Sequence, residues 1–277
     1  MEFFTDPLTY GFFTRALMAA VLVGVVSSVL GTFVVLRGMA FLGDALAHTI
    51  LPGVVIAFLL GRSLTVGALV MGIVTALAIG VITQRTQLKE DTAIGVIFAG
   101  LFALGVALLS ATSNYAGDLA HFLFGNLLGV STSDLWTIAL LGGLVLLVIL
   151  LLYKEFMVIS FDTVLATALR LPTTFLNYLL LILIALTIVV SLQVVGISLM
   201  LAMLVTPAAA ASLLTRRLPT MMLTAAFIGA LSGIAGLYSS FYLNIASGPA
   251  VVLVATLIFL LVFLFSPRSG ILLQRLR

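Results

Sequence analysis

Four stretches of this chain run without a single charge: Ala16–Leu36, Ser63–Gln84, Thr92–Gly117 and Leu135–Tyr153. Each is long enough for a helix to cross the hydrocarbon core of a bilayer, which takes about 20 apolar residues. Two longer charge-free tracts, Leu171–Thr215 and Leu218–Pro267, have room for two spans apiece. Met39–Gly61 supplies one more, broken only by Asp44 and His48. The expected fold class is therefore all-α, a polytopic transmembrane helical bundle of about nine spans, with eight as the alternative. Barrel strands would alternate apolar and polar residues over about ten positions, and no such alternation is present. Charged residues make up 8% of the chain, against about 25% in soluble domains.

The basic residues then orient the spans. Nine spans put Arg37, Arg85, Lys89, Lys154, Arg170, Arg216, Arg217, Arg268, Arg275 and Arg277 on one side, and only Arg15 and Arg62 on the other. The positive-inside rule makes the first side cytoplasmic, with the N-terminus outside and the C-terminus inside. The basic residues are sorted by side and few in number, which is not a nucleic-acid footprint. The absence of cysteine removes disulfides and thiolate metal ligands. The acidic start MEFFTDPLTYGFF lacks the basic region of a cleaved signal, so the first span is expected to remain in the mature protein.

The long tracts contain plausible breaks. Ser191, Gln193, Gly196 and Ser198 interrupt the first, and LNIASGPA (Leu243–Ala250) reads as an external turn in the second. Pro52-Gly53 and Pro207 lie within spans, where proline frees a carbonyl and kinks a helix. The alanine run Ala208–Ala211 and the Gly229/Gly233 pair let helices approach closely. On the basic side, Asp162 to Leu171 has helical spacing, with an acid first and an arginine near the end. The external loop Gly117–Leu135 suits a short interfacial helix. Its Asp118 and Asp134 read as solvated acids. Glu90 and Asp91 read as caps for a span beginning at Thr92.

Asp44 and His48 are the residues with chemistry to offer. At i and i+4 they share one helix face, and a carboxylate within a span costs about 2.5–3.5 kcal/mol on insertion scales. Three readings compete: a structural pair, a proton relay of an ion-coupled secondary transporter, or ligands for a divalent metal ion. Two ligands are too few for a structural metal site. In a symmetric dimer with this helix at the axis, two copies of each would converge. His121, the only other histidine, lies beside Phe122 in the external loop and is the weaker candidate ligand. No GxxxxGK[ST], GxSxG or HExxH is present. Active transport by this chain thus calls for an ion gradient or a separate ATPase.

The string LRGMAFLGDALAHTILPGVVIAF (Leu36–Phe58) resembles the signature of bacterial metal-ion ABC importer permeases, which serve manganese, zinc and iron uptake. The resemblance continues through Phe122–Trp136, Phe161–Pro172 and Leu204–Ala255, in order along nearly the whole chain. It implies a single transmembrane permease domain over residues 1–277, with no enzymatic activity and no permanently bound cofactor, in the bacterial cytoplasmic (inner) membrane. The implied cargo is Mn²⁺, Zn²⁺ or Fe²⁺, passing Asp44 and His48. The implied partners are a second copy of the chain, two cytoplasmic ATPase subunits and an extracytoplasmic metal-binding protein. The cytoplasmic coupling helix of such permeases maps onto residues 161–172, with Asp162, Ala166, Leu169, Arg170 and Pro172 as candidate ATPase contacts. Arg170 stands where the family's ALGLP pattern has glycine, a departure that bears on a contact or on the helix end.

Overall fold

The computed structural model describes residues 5–86, 88–111 and 127–266, and every regular element among them is helical. Twelve α-helices follow one another: α1 (Gly11–Leu36), α2 (Leu42–Thr49), α3 (Leu51–Leu59), α4 (Leu64–Arg85), α5 (Glu90–Ser110), α6 (Thr132–Leu151), α7 (Tyr153–Phe161), α8 (Thr163–Ala168), α9 (Thr173–Val195), α10 (Ile197–Leu214), α11 (Leu218–Leu243) and α12 (Ser247–Phe265). With α2 and α3 counted as one span, nine units among the described residues are long and apolar enough to cross a membrane. The eight-span alternative falls.

Side-chain bonds between helix ends show the up-and-down alternation directly. At one end Arg37 pairs with Glu90, Gln84 Nε2 donates to the Thr174 carbonyl at 3.4 Å, and Ser266 Oγ donates to the Leu213 carbonyl at 2.8 Å. At the other, Arg15 Nε donates to the Val130 carbonyl at 3.0 Å and Thr65 Oγ1 to Gln193 Oε1 at 3.2 Å. The basic loops among the described residues gather at the first end.

Helices α1, α2–α3 and α9 are central, whereas α5, α6 and α12 are peripheral and turn rows of leucine, valine and phenylalanine outward. The core rests on small residues. A Cβ on Gly31 would overlap the Leu204 carbonyl of α10, and one on Gly229 of α11 would meet Gly24 and Ser28 of α1. Gly233 rests on Ala20 in the same groove. The Gly229/Gly233 pair and the alanine run therefore do pack helices, as their spacing implied.

The breaks fall where the turn chemistry requires them. Gly196 has φ +78° and ends α9, and Asn244 is left-handed (φ 55°) and ends α11. One break is new: the span around Asp44 is not one kinked helix but two, separated at Ile50. Pro52 has no N–H for the carbonyl of His48, so the ladder lapses, and proline instead sits in the first turn of α3, where its missing donor costs nothing.

Two loop readings need correction. The fifth helix begins at Glu90 rather than Thr92, and Glu90 is the partner of Arg37 rather than a cap. Asp134 is not a loop acid but lies in the first turn of α6, where with Ser131 it closes a capping box. His121 and Asp118 lie outside the described residues.

Candidate functional site

Helix α2 is only 8 residues long, and it carries Asp44 in its first turn and His48 in its last. Its inner face, Leu42, Ala45, Leu46 and Thr49, is wholly buried against the bundle. Asp44 and His48 point the other way. Their side chains are 38% and 32% exposed, and His48 Nε2 lies 3.6 Å from Asp44 Oδ1. That is too long for a hydrogen bond. It is close to the ~3.4 Å that separates two ligands at ~2.1 Å from a tetrahedral ion.

Around His48 the surroundings are aromatic. Phe98 and Phe102 of α5, stacked on each other at 5.7 Å, meet the imidazole edge-to-face with centroids at 6.1 and 5.5 Å. Phe41 extends the cluster by packing on Phe98 at 5.5 Å. Sequence reasoning passed over these rings. The one available signal was two phenylalanines at i and i+4 in a span, which by themselves read as lipid-facing. Among the described residues no group of three or more His, Asp or Glu forms a possible metal cluster. The described residues therefore offer two candidate ligands and an open side.

A few residues along the basic side, Arg37 follows the last residue of α1, with 9% of its side chain exposed, and binds Glu90 at the first residue of α5. Its Nη1 is buried without an acceptor. The pair ties the turn before α2 to the helix that bears Phe98 and Phe102.

At the same end, residues 161–172 divide into parts with different duties. Asp162 ends α7 and caps α8, its Oδ1 accepting from the backbone N–H of Val164 and Leu165, both at 2.9 Å. After α8, Leu171 N–H bonds the Ala166 carbonyl and Arg170 N–H that of Thr167. This is a Schellman ending, whose left-handed position is usually glycine. Arg170 occupies it at φ 56°, which gives the departure from ALGLP its physical meaning. Ala166 is buried and packs inward, while Leu169, Arg170 and Pro172 are exposed. Val164 and Leu165, 78% and 49% exposed, add to the apolar surface there, and sequence reasoning had not singled them out.

A bundle of nine apolar spans among the described residues, with a carboxylate and an imidazole turned out of one of them, defines a multi-pass membrane protein. The model of the ABC 3 transport family matches residues 9–266, and the chain belongs to that family. It is similar to the manganese transport system membrane protein MntC of Halalkalibacterium halodurans, at 48% identity over 98% of this chain and 92% of that one. The manganese import system permease protein ScaB of Streptococcus gordonii is 40% identical over 100% and 99% of the two chains. The chelated iron transport system membrane protein YfeD of Yersinia pestis is 40% identical over 95% and 88%. Among solved structures, PsaBC from Streptococcus pneumoniae in complex with Fab contains a chain that superposes with a TM-score of 0.85 at 37% identity, covering 99% of both. The chain is a multi-pass protein of the bacterial cytoplasmic membrane.

Proposed function

We propose that this chain is the membrane-spanning subunit of an ATP-driven importer for divalent transition-metal ions, and that Asp44 and His48 are transient ligands on the ion's path. The observation that carries the reading is the open side of α2. A carboxylate and an imidazole, each about a third exposed within a span, have Phe98 and Phe102 on one flank and, among the described residues, no third acidic or histidine group beside them. Bare contact with lipid would be costly, so the face belongs to a water-filled path, to a second copy of the chain, or to both. Manganese and iron in the names of similar proteins support the cargo class, and carboxylate with imidazole suits Mn²⁺, Fe²⁺ and Zn²⁺ alike.

In this reading residues 1–277 act as one permease domain in a homodimer, fed from outside by a metal-binding protein. Two ATPase subunits dock beneath it on the exposed apolar rim of Val164, Leu165 and Leu169, with Arg170 and Pro172 beside it. ATP-driven closure of those subunits moves α8 and rocks the bundle between outward and inward access. As the ion sheds water, the Asp44 carboxylate and the neutral His48 lone pair offset part of its dehydration. Two ligands per chain leave coordination positions open, so the ion is held weakly enough to leave.

The test is ATP-dependent uptake of Mn²⁺ and Zn²⁺ by the chain reconstituted with its ATPase and binding protein. Asp44→Asn and His48→Ala should each lower uptake by more than about tenfold while the complex still assembles. Acidification should weaken uptake at subsaturating metal, because imidazolium does not ligate. Full uptake in both variants would show that the ion takes another route.

A further inference from the structure

A histidine that binds metal usually donates its second ring N–H to a carboxylate, a carbonyl or water, which fixes the tautomer and the ring plane. His48 has no such bond to any described residue. Among the described residues, the approach of Asp44 Oδ1 at 3.6 Å is its one polar contact. What holds the ring is the edge-to-face contact with Phe98 and Phe102, whose own planes are nearly parallel, 10° apart. We infer that Phe98 and Phe102 are positioning residues for the His48 ligand. They take the place of the missing hydrogen-bond partner and keep Nε2 turned toward Asp44.

Two features of the fold give this arrangement consequence. Both rings come from α5, a peripheral helix that packs mainly on α2, α3 and α4. Its first residue, Glu90, is tied to Arg37 just before α2. The imidazole is therefore oriented by a peripheral helix that packs on α2, α3 and α4 rather than on the core made by α1, α10 and α11. A displaced α5 would release the ring and with it half of the ligand pair.

The inference rests on the ligand role of His48, so the experiment reads the two separately. Mn²⁺ affinity of the reconstituted complex is measured from the EPR signal of free Mn²⁺, and uptake is resolved into KM and kcat. Five forms are compared: wild type, Phe98→Leu/Phe102→Leu, Phe98→Tyr/Phe102→Tyr, His48→Ala, and His48→Ala combined with the two leucine changes. Both phenylalanines are partly exposed and lie away from residues 161–172, so their replacement should leave assembly with the ATPase intact. We expect the double variant to weaken Mn²⁺ binding about tenfold and to raise KM with little change in kcat. In the His48→Ala background the same double change should add nothing. Phe98→Tyr/Phe102→Tyr, which keeps both rings, should restore wild-type affinity. An equal loss with and without His48, or no loss in the double variant, overturns the positioning role while leaving the ligand role standing. Unchanged affinity and uptake in His48→Ala would overturn the ligand role first, and this inference with it.

Discussion

Breaking the Arg37–Glu90 pair should cost different amounts from its two sides. The Arg37 side chain is 9% exposed and Glu90 31%. Removing one partner of a fully buried pair costs about 3–5 kcal/mol, because the survivor is left charged and unsolvated. Glu90→Ala strands a guanidinium that is nine-tenths buried and whose Nη1 already lacks an acceptor. Allowing for the partial solvation of the pair, we expect a loss of about 2–3 kcal/mol. Arg37→Met strands a carboxylate that water already reaches, and methionine refills part of the space, so about 1 kcal/mol is expected. The double variant Arg37→Met/Glu90→Ala leaves no buried charge and should cost no more than about 1 kcal/mol, well short of the sum of the two. Unfolding of the purified chain in mixed micelles by rising dodecyl sulfate, followed by far-ultraviolet circular dichroism, measures all four forms. Equal costs from the two sides, or a double variant that equals the sum, would refute the reasoning and mark the pair as a solvated surface contact.

Other perturbations are local and quick to read. Gly31→Ala should destabilise the bundle by at least about 2 kcal/mol, since its methyl would overlap the Leu204 carbonyl. Gly95→Ala, where nothing lies within 4 Å, should be neutral or raise stability by up to ~1 kcal/mol. The same micelle titration separates the two. Asp162→Ala removes the acceptor that holds the first turn of α8, worth about 1 kcal/mol, and should lower metal-stimulated ATPase activity of the assembled complex more than its basal activity. Arg170→Gly relieves a left-handed non-glycine residue at the expense of a looser unfolded chain. The net change should be within about 1 kcal/mol of zero, and a larger shift would mean that the Arg170 side chain makes a contact of its own.

The spans were legible in the sequence because the bilayer imposes one rule on all of them: some twenty residues without charge. The breaks at Gly196 and Asn244 were legible for a similar reason, since glycine and asparagine supply a left-handed or otherwise unusual backbone. Less could be read where distant elements decide the outcome. Glu90 looked like a cap because its local sequence is that of a helix start, and nothing nearby announces Arg37, 53 residues away. Phe98 and Phe102 drew no notice in the sequence, because a phenylalanine against lipid and one against an imidazole are the same letter at the same spacing. Even the division of the span at Ile50 was only half announced. Pro52 marked an interruption, but whether proline kinks one helix or begins a second depends on packing around the lapse.

The candidate site follows the same division. Pairing Asp44 with His48 needs only the helical repeat, so it was visible at once. That they face outward follows from Leu42, Ala45, Leu46 and Thr49 filling the inner face, which is a matter of tertiary packing. Helix α2 is thus amphipathic across its width while sitting in a span, with a polar edge where lipid would be the worst neighbour. Among the described residues, the ring contacts at this edge come from α5, through Phe98 and Phe102, on one flank. In the proposed reading a water-filled path or a second copy of the chain supplies the other flank of the pair, and the flank that is present comes from a peripheral helix. A permeation site needs both properties: ligands exposed enough to receive an ion, and a wall that can move to give it up.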